Sequence, residues 1–254
     1  MDKSAKSAEK LHRVSFSFAD VKKYFESTQV LPIVIGVVVI LITLFLVKLI
    51  FRGRKARRDV QVLGLCDAGK TLVWSQLLHG RKVETLTSIK ENVDFYQTNR
   101  GLLRLVDVPG HERLRMKFFD QYKETTRALI FVIDAMTFQK DLRDVAEFMY
   151  NVLLDSTISY NSPSVLILAH KQDLPMAKGI SLIQSNLEKE LNLLRETKDK
   201  LTSLSDKSEK QAYLGKQGKD FTFSQLKFQI DFAESSALSE EGLESVKKWL
   251  ASSA

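Results

Sequence analysis

The sequence predicts an α/β domain with a mostly parallel six-stranded sheet flanked by helices, preceded by one transmembrane helix. Three observations carry this reading. Residues 59–254 alternate short apolar runs with helix-forming runs, which is the pattern of a parallel sheet covered on both faces. The glycine-rich stretch GLCDAGKT, Gly64–Thr71, stands between one such strand and one such helix. Val30–Val47 offers 18 residues without a charge.

That apolar run comes first in the chain. Lys48 can snorkel, and Leu49, Ile50 and Phe51 extend the stretch 30–51 to 22 residues. At helical rise it reaches roughly 33 Å, enough for a bilayer core of about 30 Å. A cleaved signal peptide does not fit, because the run is too long, starts late, and is followed by a basic block where a small-residue cleavage site belongs. The block is RGRKARR, residues 52–58, with five cations. The positive-inside rule then makes 52–58 a cytosolic juxtamembrane linker and leaves 1–29 as a short non-cytosolic segment. Phe16, Phe18 and Phe25 suit an interfacial piece there.

Charge divides at the same boundary. Residues 1–58 hold 12 Lys/Arg against 4 Asp/Glu, and 59–254 hold 26 against 27. The net charge of +7 therefore belongs to the N-terminal segment, and no direct nucleic-acid binding by the main domain is expected. The single cysteine, Cys66, excludes an intrachain disulfide and suits a reducing cytosol.

Within 59–254 the strand candidates are 60–65, 93–98, 102–107, 128–134, 165–169 and 228–233. The second and third are joined by Asn99-Arg100-Gly101, which suits a hairpin and an antiparallel edge. The helix candidates are 70–79, 114–124, 141–154, 180–196 and 241–251. Residues 197–220, polar and rich in Lys and Ser, read as an inserted surface loop.

GLCDAGKT satisfies G-x-x-x-x-G-K-[ST] with a strand before it and a helix after it. Gly64 and Gly69 permit a tight wrap in which the backbone N–H groups of Asp67, Ala68 and their neighbours face a phosphate, and the helix N-terminus adds partial positive charge. Lys70 can reach β- and γ-phosphates, and the Thr71 hydroxyl can ligate Mg2+. LVDVPGHE, 105–112, puts Asp107 at a strand end, where its carboxylate can hold Mg2+, and Gly110 where a bare N–H can approach a γ-phosphate. In TLTSI, Thr85, Thr87 and Ser88 offer hydroxyls in the loop before the second strand, and Thr87 is the candidate to close over the metal. LAHKQDL, 168–174, supplies base choice: Asp173 can accept the N1–H and 2-amino groups of guanine, donors that adenine lacks, and Lys171 can lay its stem over the ring. ESSAL, 234–238, brings Ser236 and a backbone N–H at Ala237 toward the guanine carbonyl. The ligands are therefore expected to be GTP and Mg2+, which makes 59–254 a P-loop GTPase domain.

These motifs, in this order on these elements, resemble the Ras-like small GTPase superfamily. The span, AEFMYNVLLD, LIQSNLEKELNLLR, LGKQGKDFTFSQL and KKWLA narrow the resemblance to the signal recognition particle receptor beta subunits. It implies a GTP-binding subunit in the endoplasmic reticulum membrane with its G domain cytosolic. It also implies GTP-dependent capture of the receptor's alpha subunit through that partner's N-terminal domain, and indirect engagement of the signal recognition particle and the ribosome. Membrane lipid is expected to be contacted through the span.

Two positions depart from the common pattern. His170 stands where guanine motifs usually carry Asn, and its N–H can donate to guanine N7 with different geometry. His111 follows the Asp-x-x-Gly, where many relatives carry a water-orienting Gln; it is the candidate catalytic residue, with slow, partner-dependent hydrolysis expected. Arg113 and Arg115 are candidate phosphate-reaching cations, though charges beyond this motif more often are solvated or face a partner, and Phe118, Phe119 and Tyr122 are candidates for docking or, equally, for core packing. A GTP-held docking module is favoured over an Arf/Sar-like trafficking switch, since a chain with a built-in span does not leave the membrane. Intact Lys70, Thr71, Asp107 and Asp173 argue against a nucleotide-free structural anchor.

Overall fold

The computed structural model of the chain describes residues 30–51, 57–204, 213–239 and 242–253. The readings of 1–29 as a non-cytosolic segment and of most of the basic linker lie outside these residues. Two compact units emerge, Met1–Arg54 and Lys55–Ala254.

The first unit contributes helix α1, Val30–Phe51, 22 residues long. Its apolar side chains are exposed around the helix, including Ile35, Leu41 and Phe45. Its one hydroxyl-bearing residue, Thr43, bonds back to the carbonyls of Val39 and Ile40 at 2.9 and 2.8 Å, so the helix offers apolar surface on all sides. Among the described residues no helix is long and apolar enough to cross a membrane; the side chains of α1 are described for 32–48.

The second unit is a six-stranded sheet in the order β2-β3-β1-β4-β5-β6. The strands are β1 Asp59–Leu63, β2 Asn92–Thr98, β3 Gly101–Asp107, β4 Thr126–Asp134, β5 Ser164–His170 and β6 Ile230–Glu234. Only β2 runs antiparallel, paired with β3 through the expected hairpin; every other pairing is parallel. β1, β4 and β5 are buried along almost their whole length, which is why they read as continuous apolar runs rather than alternating ones.

The helices are α2 Lys70–His79, α3 Glu112–Tyr122, α4 Phe138–Leu154, α5 Ser156–Asn161, α6 Ile180–Leu204 and α7 Glu244–Ser253. They cover both faces. One core packs Phe131, Phe138, Phe148, Met149 and Leu187 with their neighbours; the other joins Val60, Val73, Ile130 and Val246. α2 ends at Gly80, whose φ of 62° is left-handed and whose N–H closes onto the Gln76 carbonyl at 3.1 Å.

Two elements differ from the sequence reading. α5 is a short helix capped by Asp155, which accepts from the N–H groups of Thr157 and Ile158; six residues are too few for a periodicity to register. The reading of 197–220 as a loop fails at its start, because α6 continues to Leu204. At its end the segment 213–220 forms no helix or strand and 216–220 is exposed, while Leu214 is buried. There Arg195, itself 3% exposed, donates from one guanidinium nitrogen to the Leu214 and Lys216 carbonyls, both at 3.3 Å, and from another to the Lys219 carbonyl. Its guanidinium also lies 5.3 Å from the Tyr213 ring centroid.

Candidate functional site

Parallel strands place their C-terminal ends at one edge, and the loops that leave this edge carry the sequence motifs. The phosphate loop leaves β1 at Gly64, whose φ is 147°. A methyl group there would sit 2.3 Å from the Val132 carbonyl oxygen. Asp67 (φ 59°) and Gly69 (φ 92°) also adopt left-handed backbone, so successive N–H groups turn inward before α2 begins. Lys70 is 5% exposed, and its ammonium donates to the Leu65 carbonyl at 2.6 Å. Burial lowers its pKa against the opposing pull of Asp107, Cys66 and Asp67. Ala68 is buried beneath the loop, in the core on the α2 face.

Asp107 and Thr71 meet here: the Thr71 hydroxyl donates to Asp107 Oδ2 at 2.7 Å. Asn92, opposite Asp107 in the β2–β3 register, donates to the same oxygen at 2.9 Å. The other carboxylate oxygen, Oδ1, is buried without a partner, and burial raises the acid's pKa despite the help of Thr71, Asn92 and Lys70. An orphaned carboxylate oxygen beside a hydroxyl is the donor set a hard cation such as Mg2+ takes. Gly110 presses its backbone against the loop: a Cβ there would stand 2.6 Å from Cys66 N and from Lys70 Nζ. The cleft is lined by Asp67, Gly69, Lys70, Thr71 and Gly110, and on the far side by Thr85, Leu86, Thr87 and Ser88. Thr87 thus reaches the predicted cleft, but Ser88 is the residue whose hydroxyl stands 3.4 Å from that of Thr71.

The second cluster follows β5 and β6. His170 is 2% exposed; its Nδ1 lies 2.9 Å from the Ser235 hydroxyl and its ring edge faces Gly69. Burial, reinforced by the Lys171 charge, lowers its pKa to about 4, so the imidazole is neutral at neutral pH. Lys171, with φ 64°, donates to the Asp67 carbonyl at 2.7 Å and to Asp134 at 2.6 Å. Asp173 accepts from the Ser236 hydroxyl at 2.5 Å, which also receives the Leu238 N–H at 3.2 Å. Ala237 is buried beside it. Phosphate loop and base loops are therefore tied together by His170 and Lys171.

The remaining candidates fall elsewhere. His111 is exposed and caps α3, its Nδ1 accepting the Arg113 N–H at 3.3 Å; it is not among the residues lining the cleft. Arg115 stacks over Phe148, 4.8 Å from the ring centroid, rather than reaching toward the cleft. Phe118 and Phe119 are core residues, and the Tyr122 hydroxyl bonds Glu91 at 3.1 Å, so none of the three forms an exposed docking patch. Sequence reasoning offered Ser88 but preferred Thr87, and it missed Asn92, Asp134 and Ser235. Asn92 and Asp134 carried a signal: each is a polar residue at the end of an apolar strand, beside a site residue in the sheet register.

A six-stranded sheet with one antiparallel edge strand, a phosphate loop after β1 and base-reading loops after β5 and β6 define a small GTPase. A model of the "Signal recognition particle receptor beta subunit" family matches residues 55–230. The human signal recognition particle receptor subunit beta is 45% identical over 231 residues, 87% of this chain and 85% of that relative. Among solved structures, "The Structure of the Mammalian SRP Receptor" superposes with a TM-score of 0.70 at 47% identity, covering 78% of this chain and all of that one. "Signal recognition particle receptor SRb-GDP from Chaetomium thermophilum" gives 0.62 at 25% identity, covering 79% and 99%. The chain belongs to the signal recognition particle receptor beta subunit family.

Proposed function

We infer that this chain is a membrane-anchored, GTP-binding docking subunit that recruits a receptor alpha subunit to the endoplasmic reticulum membrane for cotranslational targeting. The observation that carries the reading is the pairing of two clusters on one sheet edge. Lys70, Thr71, Asp107 and Gly110 form a phosphate and metal end, and His170, Lys171, Asp173, Ser236 and Ala237 form a base end. Mg2+ would be held by Thr71 and Asp107, with Thr87 or Ser88 closing over it; bound there it neutralises phosphate charge. The GDP named with the Chaetomium relative supports a guanine nucleotide here.

The 22-residue helix α1, apolar on all sides, supports a single-pass anchor, with 59–254 on the cytosolic side of the basic linker. Slow turnover is supported by His111, exposed and accepting the Arg113 N–H at the start of α3, and by Arg115, stacked over Phe148. Partner capture falls to the segment between α2 and β2 and to the edge strand itself. Leu86 is 93% exposed, Ile89 77% and Phe95 58%, and Leu86 also lines the cleft. A third phosphate that orders this segment presents those side chains together. The test is binding of the alpha subunit's N-terminal domain to the full chain loaded with a non-hydrolysable GTP analogue or with GDP. Capture in the first state alone supports the reading, and equal capture in both contradicts it.

A further inference from the structure

The edge of the sheet opposite the nucleotide clusters carries a second surface, and we propose that it rests on an anionic lipid headgroup layer. The proposal rests on the membrane anchor inferred above and adds to it: the G domain is oriented on the bilayer as well as tethered to it. The N-terminal ends of β1, β3, β4, β5 and β6 all lie at this edge because the strands are parallel. The chain enters the domain here, at Arg57 and Arg58, both exposed. No more than seven residues, 52–58, separate the end of α1 from β1.

Cations converge on this edge from four connections. Arg57 donates to the Asn161 carbonyl at 2.5 Å, which fixes the entering chain against the C-terminal end of α5. The hairpin turn supplies Arg100, exposed except for one bond to the Ser252 carbonyl at 3.0 Å. In β4 the register steps from Thr126 to Ala128 opposite Asp59 and Val60, so Arg127 is the extra residue of a bulge; it is exposed and its Nε donates to the Ser253 carbonyl at 2.5 Å. Lys227, exposed, precedes β6. Acidic groups at this edge have partners, Asp231 of β6 accepting from the neutral Gln229 and Trp249. Asp59 is paired with Arg104 at 2.5 Å and Asp155 with Lys123 at 2.8 Å, and Glu124 also has a partner. Among these cations stands Tyr160, 89% exposed, at the left-handed corner made by Ser162. Tyr160, exposed next to the Asn161 carbonyl that Arg57 bonds, and exposed arginines at the same edge make up the composition of a headgroup contact, where tyrosine sits at the interface and each cation gains from the anionic surface.

The test uses the full chain reconstituted into vesicles of phosphatidylcholine alone or with phosphatidylserine, followed by amide hydrogen exchange. Exchange over 156–163 and 98–101 should slow when phosphatidylserine is present and recover in high salt. The variant R58E/K227E, which touches no nucleotide contact, should lose the slowing, by roughly fivefold for each arginine or lysine removed. Y160S should weaken it while nucleotide binding is retained. A chain that stays in the vesicles through alkaline carbonate but shows no lipid-dependent slowing overturns this inference and leaves the anchor standing. A chain that carbonate strips from the vesicles contradicts the anchor, and the inference with it. Slowing by ribosomal RNA and not by phosphatidylserine assigns the edge to RNA and overturns the proposal.

Discussion

The imidazole of His170 and the backbone of Gly69 are in direct apposition: a methyl group on Gly69 would stand 2.5 Å from Cδ2 of the ring and 2.8 Å from Nε2. With Nδ1 held by Ser235, the ring is a strut between the base loops and the phosphate loop. Gly69 also sits at φ 92°, where a side chain is strained. G69A should therefore destabilise the domain by about 2 kcal/mol and abolish nucleotide binding, as read by urea unfolding and by titration with fluorescent GTP. A G69A domain of unchanged stability would show that the strut is not required.

The same ring predicts a pH dependence. Its folded pKa of about 4 lies below the ordinary histidine value of 6.5, so the unfolded chain binds the proton more readily. Stability contributed by neutral His170 is present above about pH 6.5 and is lost as pH falls toward 4, reaching roughly 3 kcal/mol. H170N cannot titrate. Its unfolding free energy, measured from pH 7 to 4, should fall less than that of the native chain, and parallel curves would show that His170 is not the titrating group.

Asp107 makes the opposite contribution. Burial raises its pKa and Oδ1 has no partner, so the ionised carboxylate is held at a cost that is relieved as the pH falls. D107N keeps an oxygen for the Thr71 hydroxyl and removes the charge. Without nucleotide and Mg2+ its Tm should equal or exceed that of the native chain, while the added stability conferred by Mg2+ with GTP should disappear. Calorimetry with and without the metal checks both; retention of the Mg2+ effect contradicts the assignment.

Arg195 is a buried cation bonded to backbone carbonyls rather than to a carboxylate. R195M should cost about 3 kcal/mol and release 213–221 to protease, with nucleotide affinity unchanged because the segment lies far from the phosphate loop in the fold. Limited proteolysis followed by mass spectrometry reads the first effect, and resistance equal to the native chain contradicts it.

Most of the sheet was legible because buried parallel strands leave continuous apolar runs such as ALIFVID and SVLILAH, bounded by loops with glycine, proline or charge. The phosphate and base residues were legible for a different reason: tight loops admit few residue types, so Gly64, Gly69, Lys70 and Asp173 stand in fixed spacing. What was hidden depended on three dimensions. α6 runs on through a Lys/Ser-rich stretch because Arg195 is covered by a segment about twenty residues away, which no local composition records. Phe118 and Phe119 face the core, though helical spacing alone allowed a surface role. Ser88 in place of Thr87 beside Thr71 is a question of which hydroxyl a loop turns inward, and sequence spacing does not distinguish neighbours.

The central claim is that this sheet edge holds GTP and keeps it. The most direct measurement is to purify the full chain in magnesium without added nucleotide, denature it, and separate what it releases by chromatography. Close to one GTP per chain is expected, held by His170 and the phosphate loop and spared by slow hydrolysis. A protein that releases nothing and fails to take up added GTP would contradict it; one that releases mostly GDP would retain the site but contradict the slow turnover.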